Sequence, residues 1–162
     1  MVEALAVAGL TAVLMNSVVG YSDVKAQEVY VKPIYQQQEV DPWDRQLLAH
    51  VIYGESRGCS EKCQRYVGSV VLNRVASEMY PDTIEEVVYQ TVPTIQYGCT
   101  VQPEFDEKPN ETAYQIADEL LRYGSVVPGN VVFQSEYVQG DVYAYIDGVY
   151  FCEGIESTYS GD

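Results

Sequence analysis

The sequence predicts an α+β domain: a helical core followed by a small C-terminal antiparallel hairpin or sheet. Three observations predict it. Apolar residues recur at helical spacing between residues 41 and 124. The character then changes to short β-branched and aromatic runs flanking Asp147-Gly148, a strong hairpin signal. The length of 162 residues, with 47% apolar residues, suits one ordinary domain with a short extension.

The elements follow in order. Residues 4–19 (ALAVAGLTAVLMNSVV) form an apolar run shorter than the roughly 20 residues a spanning helix needs. With the small-residue site Val24-Lys25-Ala26 before Gln27, residues 1–26 read as a signal-peptide-like or anchor segment. Glu3 stands where such a segment favours a basic residue, and a buried N-terminal helix is the alternative. No stable membrane span is expected. Residues 27–40, Gln-rich with one proline, read as a linker, leaving 41–162 as the main folded domain.

Asp41 and Pro42 open the first helix as N-cap and first helical residue, and Gly58 is its natural stop. Trp43, Leu47, Leu48, Val51 and Ile52 set its apolar stripe. A second helix runs from about Ser60 to Ala76, with Cys63, Val67, Val70, Val71 and Val75 inward. A third, short one follows Pro81-Asp82, with Ile84, Val87 and Val88 inward. Residues 91–108 show no periodicity, and so long a loop in a compact domain is usually functional. A fourth helix begins near Asn110 and ends at Gly124. Val131-Val132-Phe133 reads as a strand, and 142–146 and 149–152 as the hairpin arms.

Nine Lys+Arg against 24 Asp+Glu give a net charge of −15, which argues against nucleic acid or anionic membranes as nonspecific partners. Fifteen tyrosines suit sugar or peptide surfaces as well as cores. Four cysteines stand at 59, 63, 99 and 152. Two disulfides are expected, with Cys59–Cys63 and Cys99–Cys152 as the preferred pairing and free buried thiols as the alternative. A zinc ribbon wants two close pairs and only Cys59 and Cys63 are close, so no metal and no cofactor are expected. His50 is the only histidine and no cysteine has a recognisable nucleophile context, which argues against a cysteine protease.

Glu55 stands three residues after Ile52, four after Val51 and seven after Leu48, on the face of the buried stripe. A carboxyl at such an edge is partly desolvated, which favours the protonated acid that glycoside cleavage needs. The plainer reading is a boundary glutamate paired with Arg57.

Seven segments then occur together in order: LLAHVIYGESRG, VGSVVLNRV, PDTIEEVVYQ, the Gln96-Tyr97 region, ETAYQIADELLRYG, VVPGNVVFQS and VYAYIDGVYFC. From about Asp44 to Cys152 the chain resembles the cell-wall hydrolases related to the spore-cortex-lytic enzymes of endospore-forming bacteria. The resemblance implies a lysozyme-like core acting on peptidoglycan glycan strands as a lytic transglycosylase, with Glu55 of the YGESRG motif as catalytic acid and base. A hydrolytic muramidase of prophage or germination origin and a catalytically silent wall-binding module are the alternatives. A hydrolase would want a second carboxylate; Glu61, Glu85, Glu86 and Asp106 are available.

Substrate-binding roles are expected for Gln96 and Tyr97 in the long loop, Tyr53 before the acid, and Asn73, Gln90 and Tyr145. Tyr150 alternates with Tyr145 on the hairpin. Asn73 has a structural alternative, bonding backbone near the site. The chain departs from the resemblance in having CSEKC where acidic and glycine residues are usual, Tyr97 where many relatives carry Phe, and no histidine near the end of the hairpin. The implied setting is the cell envelope or outside the cell, spore and phage being two contexts, with a monomer as the expected form.

Overall fold

The computed structural model describes residues 30–35 and 38–154. The apolar run 4–19 and the site at 24–27 lie outside the described residues.

Helix α1 (Pro42–Ser56) starts where Asp41 accepts hydrogen bonds from the amides of Trp43 and Asp44, which leaves Pro42 the position that needs no donor. Its inward residues Leu47, Leu48, Val51 and Ile52 are all nearly or wholly shielded from solvent. Helix α2 (Glu61–Val75) is capped by the Ser60 hydroxyl and runs against α1. Gly68 lets the two helices meet: a Cβ there would lie 2.4 Å from Leu120 Cδ1 and 2.9 Å from Ile52 Cδ1. Helix α3 (Ile84–Val88) is a single short turn capped by Thr83. Helix α4 (Glu111–Tyr123) is capped by Asn110 and stopped by Gly124 at φ +91°. Arg45 on α1 donates from Nε to both oxygens of Asp118 on α4, at 2.8 and 2.9 Å. The core lies among α1, α2 and α4 and extends to Val127, Val131 and Phe151.

The sheet is antiparallel, with strands β1 (Val131–Ser135), β2 (Asp141–Ile146) and β3 (Val149–Glu153) in the order β1-β3-β2. The β2–β3 turn places Asp147 at φ +53° and Gly148 at φ +91°, both left-handed, as a two-residue Asp-Gly turn demands. Bulges interrupt β1 after Val131 and β2 after Val142. The third strand, β1, is held to α2 as well as to β3.

Packing begins before residue 41. Ser125 N–H donates to Val31 O, Tyr35 N–H donates to Leu121 O, and Val40 is buried in the core. A side chain at Gly124 would meet Val31 O at 2.4 Å, so the glycine also admits this segment.

The expected disulfides are not formed: all four cysteines are free thiols. Cys99 packs beneath the end of α1 against Gly54, whereas Cys152 sits in the central strand between Phe133 and Val142. The fold carries these two residues on separate elements, which sequence spacing does not reveal. Cys59 and Cys63 do come close, at the entry to α2. Among the described residues no helix is long and apolar enough to cross a membrane.

Candidate active site

The last turn of α1 carries Glu55. The turn is tightened by the Ser56 hydroxyl, which donates to Ile52 O at 2.6 Å, and by Arg57 N–H, which donates to Tyr53 O. Gly54 makes the site buildable. A Cβ at that position would stand 2.7 Å from Cys99 Cβ and 3.1 Å from its sulfur, closer than any side chain tolerates. With glycine there, the 3₁₀ turn Gly98–Val101 closes onto the helix, and Cys99 N–H donates to Glu55 Oε1 at 2.9 Å. Glu55 is half-buried. The Cys99 thiol lies against the same carboxyl group, so Glu55 is held from the loop side while it stays partly open to solvent.

Tyr97 lies beneath this turn, fully buried. The Arg74 guanidinium sits 5.2 Å from the centre of its ring and the same distance from that of Tyr80. The Tyr97 hydroxyl has no hydrogen-bond partner among the described residues. Burial pushes it up to about 12, with Arg74 opposing and Glu55 adding a smaller push. The Cys99 thiol is pushed up by burial first and by the neighbouring Glu55 carboxylate second.

A second 3₁₀ turn, Pro103–Asp106, forms the adjoining wall. His50 Nδ1–H donates to Phe105 O at 2.7 Å, and the two rings lie 5.4 Å apart. Tyr89 meets Phe105 edge-on at 6.3 Å. Trp43, Leu47, His50, Tyr89, Phe105 and Asp106 line a groove of about 120 Å³, in which Trp43 and Tyr89 are about half exposed.

The expected site residues separate in space. Tyr53 is half-buried with the Arg57 guanidinium 5.8 Å from its ring. Arg57 pairs with Glu107 at 3.2 Å rather than with Glu55. Gln96 is half-buried. Its amide donates to Gln90 O and its side-chain nitrogen to Thr94 O, so it braces the loop. Gln90 keeps a buried Oε1 without a partner. Asn73 is buried and donates from Nδ2 to Pro128 O at 2.7 Å and Val131 O at 2.9 Å. Tyr145 is exposed on the sheet and stacks on Tyr150 with ring centres 4.4 Å apart.

Two of the expected substrate contacts are therefore corrected. Tyr97 lines no groove, because it is sealed inside the core. Asn73 is buried, with Nδ2 committed to backbone and Oδ1 without a partner among the described residues. Of the four carboxylates considered as a second catalytic group, Glu61 lies near Arg65 and Glu86 accepts from the Thr83 hydroxyl. Glu85 and Asp106 are exposed. Sequence reasoning missed Gly54, His50, Cys99 and Phe105. His50 lies four residues before Gly54 on one helical face, a signal that was available. Cys99 and Phe105 lie in the non-periodic stretch, where no signal was.

These features define a class: a small α+β domain whose helical core presents one half-buried carboxylate held by a loop amide. The chain belongs to the cell wall hydrolase family, whose model matches residues 58–150, more than half of its length. Glu55 stands just before that stretch. Among curated proteins, the chain is 37% identical over 70 residues to a spore cortex-lytic enzyme of Bacillus cereus, covering 43% of this chain and 26% of that protein. It is 31% identical over 70 residues to the spore cortex-lytic enzyme of Bacillus subtilis, covering 43% and 22%. The chain thus spans about a quarter of the length of the curated relatives it matches. Among solved structures it is similar to the catalytic domain of the Bacillus cereus SleB protein, at 25% identity and a TM-score of 0.61 over 73% of this chain and 95% of that one. The catalytic domain of the germination-specific lytic transglycosylase SleB from Bacillus anthracis shares the fold, at 22% identity and a TM-score of 0.62 over 72% and 98%.

Proposed function

We propose that this domain cleaves peptidoglycan between N-acetylmuramic acid and N-acetylglucosamine as a lytic transglycosylase, with Glu55 as acid and then base. The observation that carries the reading is the placing of the carboxyl group: Oε1 is held by the Cys99 amide at 2.9 Å while the side chain is only half-buried. The activities named for its relatives, spore cortex-lytic enzyme and germination-specific lytic transglycosylase, support the substrate and reaction class.

The chemistry balances on one residue. Protonated Glu55 gives its proton to the glycosidic oxygen, and the bond from that oxygen to muramic C1 breaks. The electron deficit at C1 takes on oxocarbenium character. The Glu55 carboxylate then accepts the proton of the muramic 6-hydroxyl, whose oxygen bonds to C1 and closes the 1,6-anhydro ring. No water is consumed and no second carboxylate is used. The Cys99 amide keeps the carboxyl from rotating away between the two proton transfers. The groove of Trp43, Tyr89 and Phe105 offers flat apolar faces to the sugar rings.

A wall substrate calls for export, which the apolar run 4–19 supports. Bacterial wall is itself acidic, so a chain of net charge −15 binds it through short-range contacts rather than long-range attraction. Added moderate salt is expected to leave activity unchanged or raise it. Mass spectrometry of muropeptides released from purified peptidoglycan tests the reading: anhydro-muropeptides are expected, and reducing-end products alone would assign a hydrolase instead.

A further inference from the structure

We propose that Cys59, Cys63 and Asp147 form a binding site for a divalent metal of the zinc class, which clips the β2–β3 hairpin to the entry of α2. The proposal stands independently of the glycan-cleaving reading.

The argument begins with what the fold adds to the spacing. Cys59-x-x-x-Cys63 supplies one close pair of sulfurs, within the separation that zinc ligands commonly show. Alone, that is too few ligands. The hairpin turn, more than 80 residues further on, delivers a third. The two sulfurs and a carboxylate oxygen of Asp147 all lie within 4.8 Å of one another. Ligand atoms around a tetrahedral zinc sit about 3.8 Å apart, so side-chain rotations of about 1 Å close the site.

The carboxylate is already aimed. Ser60 donates to Asp147 Oδ2 from its amide at 2.8 Å and from its hydroxyl at 2.6 Å, which fixes the carboxylate beside the two sulfurs. Such bonds behind a ligand are how proteins orient metal-binding carboxylates. The turn holds Asp147 at φ +53°, a conformation asparagine and aspartate tolerate best. Burial is graded across the three: Cys63 is fully shielded, Cys59 is partly exposed and Asp147 is exposed. The cluster is thus anchored from below and open to solvent on one side, where an ion can enter and a water can complete the coordination.

Charge points the same way. Three groups that each carry negative charge when deprotonated crowd one point, and no basic residue is among their hydrogen-bond partners in the described residues. A divalent cation reverses that repulsion. On binding, both thiols release their protons and the two thiolates with the carboxylate offset the ion's charge.

The test uses the full chain, reduced and kept free of oxygen, titrated with Co(II) and then Zn(II). One cobalt ion per chain is expected, with a thiolate-to-cobalt charge-transfer band that zinc abolishes and with a rise in melting temperature on zinc addition. Cys59→Ser should remove the band. Asp147→Asn, which keeps an oxygen for Ser60, should weaken cobalt binding at least about tenfold. Because Cys63 is buried, the exposed variants carry the test, with circular dichroism confirming that they fold. No band at saturating cobalt in folded, reduced protein would overturn the site. So would an undiminished band in Cys59→Ser, or unaltered affinity in Asp147→Asn.

Discussion

At the C-terminal halves of α1 and α2, polar side chains hold backbone against a helix, and they do so at different depths from solvent. On α2, the Asn73 side-chain nitrogen donates twice, to Pro128 O and Val131 O, and Arg74 Nε donates to Val132 O at 2.8 Å. Both side chains are at least nine-tenths buried, and the segment they hold leads into β1. On α1, Glu55 accepts from the Cys99 amide of the loop it meets and stays half-exposed. The lesson is that a polar residue on an apolar helical stripe serves architecture when it is sealed from solvent on the backbone it holds. It can serve chemistry when it is held at one atom and still reaches solvent.

The largest effect expected to sharpen this contrast is on activity. Glu55→Gln removes the proton-transferring group and keeps the shape, so release of anhydro-muropeptides should fall about 10²–10⁴-fold, the usual scale of general acid–base catalysis. Its unfolding midpoint should stay close to wild type. Equal release by the variant would remove Glu55 from the mechanism.

Asn73→Ala should do the reverse. It leaves two buried carbonyls unsatisfied and opens a small cavity, for a loss of about 2–4 kcal/mol in denaturant unfolding. Activity per folded molecule should be close to unchanged. Loss of turnover at full stability would return Asn73 to the substrate.

Gly54→Ala lies between the two. The added methyl group must displace the Cys99 turn, so we expect a loss of about 1–3 kcal/mol together with roughly tenfold lower activity. A fully active variant would show that the Cys99 amide is dispensable for holding Glu55.

Tyr97→Phe has the smallest effect at neutral pH, within about 0.5 kcal/mol, since the hydroxyl it removes is buried without a partner. Its signature lies in alkali. A group raised from 10.0 to about 12 in the folded state contributes stability that is complete below pH 10 and is lost as pH rises towards 12. For Tyr97 that loss is about 2–3 kcal/mol at most. The variant should therefore lose stability less steeply than wild type between pH 10 and 12, measured by urea unfolding at each pH. Parallel curves would show that Tyr97 does not titrate with unfolding.

Much of this architecture was legible from the chain. The capping residues Asp41, Ser60 and Asn110, the stop at Gly124 and the Asp147-Gly148 turn act over a few residues, so spacing reveals them. Glu55 was legible for the same reason, since its place on the apolar stripe depends only on helical period. The loop 91–108 was legible only as a loop. No periodicity says that Cys99 will donate to Glu55 or that Phe105 will meet His50, because those contacts join residues 44 and 55 positions apart.

The sequence by itself therefore determined the helices, the hairpin and the identity of the carboxylate on the buried face, each a product of local sterics and hydrophobic period. Tertiary structure decided what those residues became. It sealed Tyr97 and Asn73 in the core. It left Glu55 half-exposed, held Cys99 and Cys152 on separate elements, and brought Asp147 to Cys59 and Cys63. The reason is physical: burial and bonding partners belong to the packed neighbourhood, and packing assembles residues far apart along the chain.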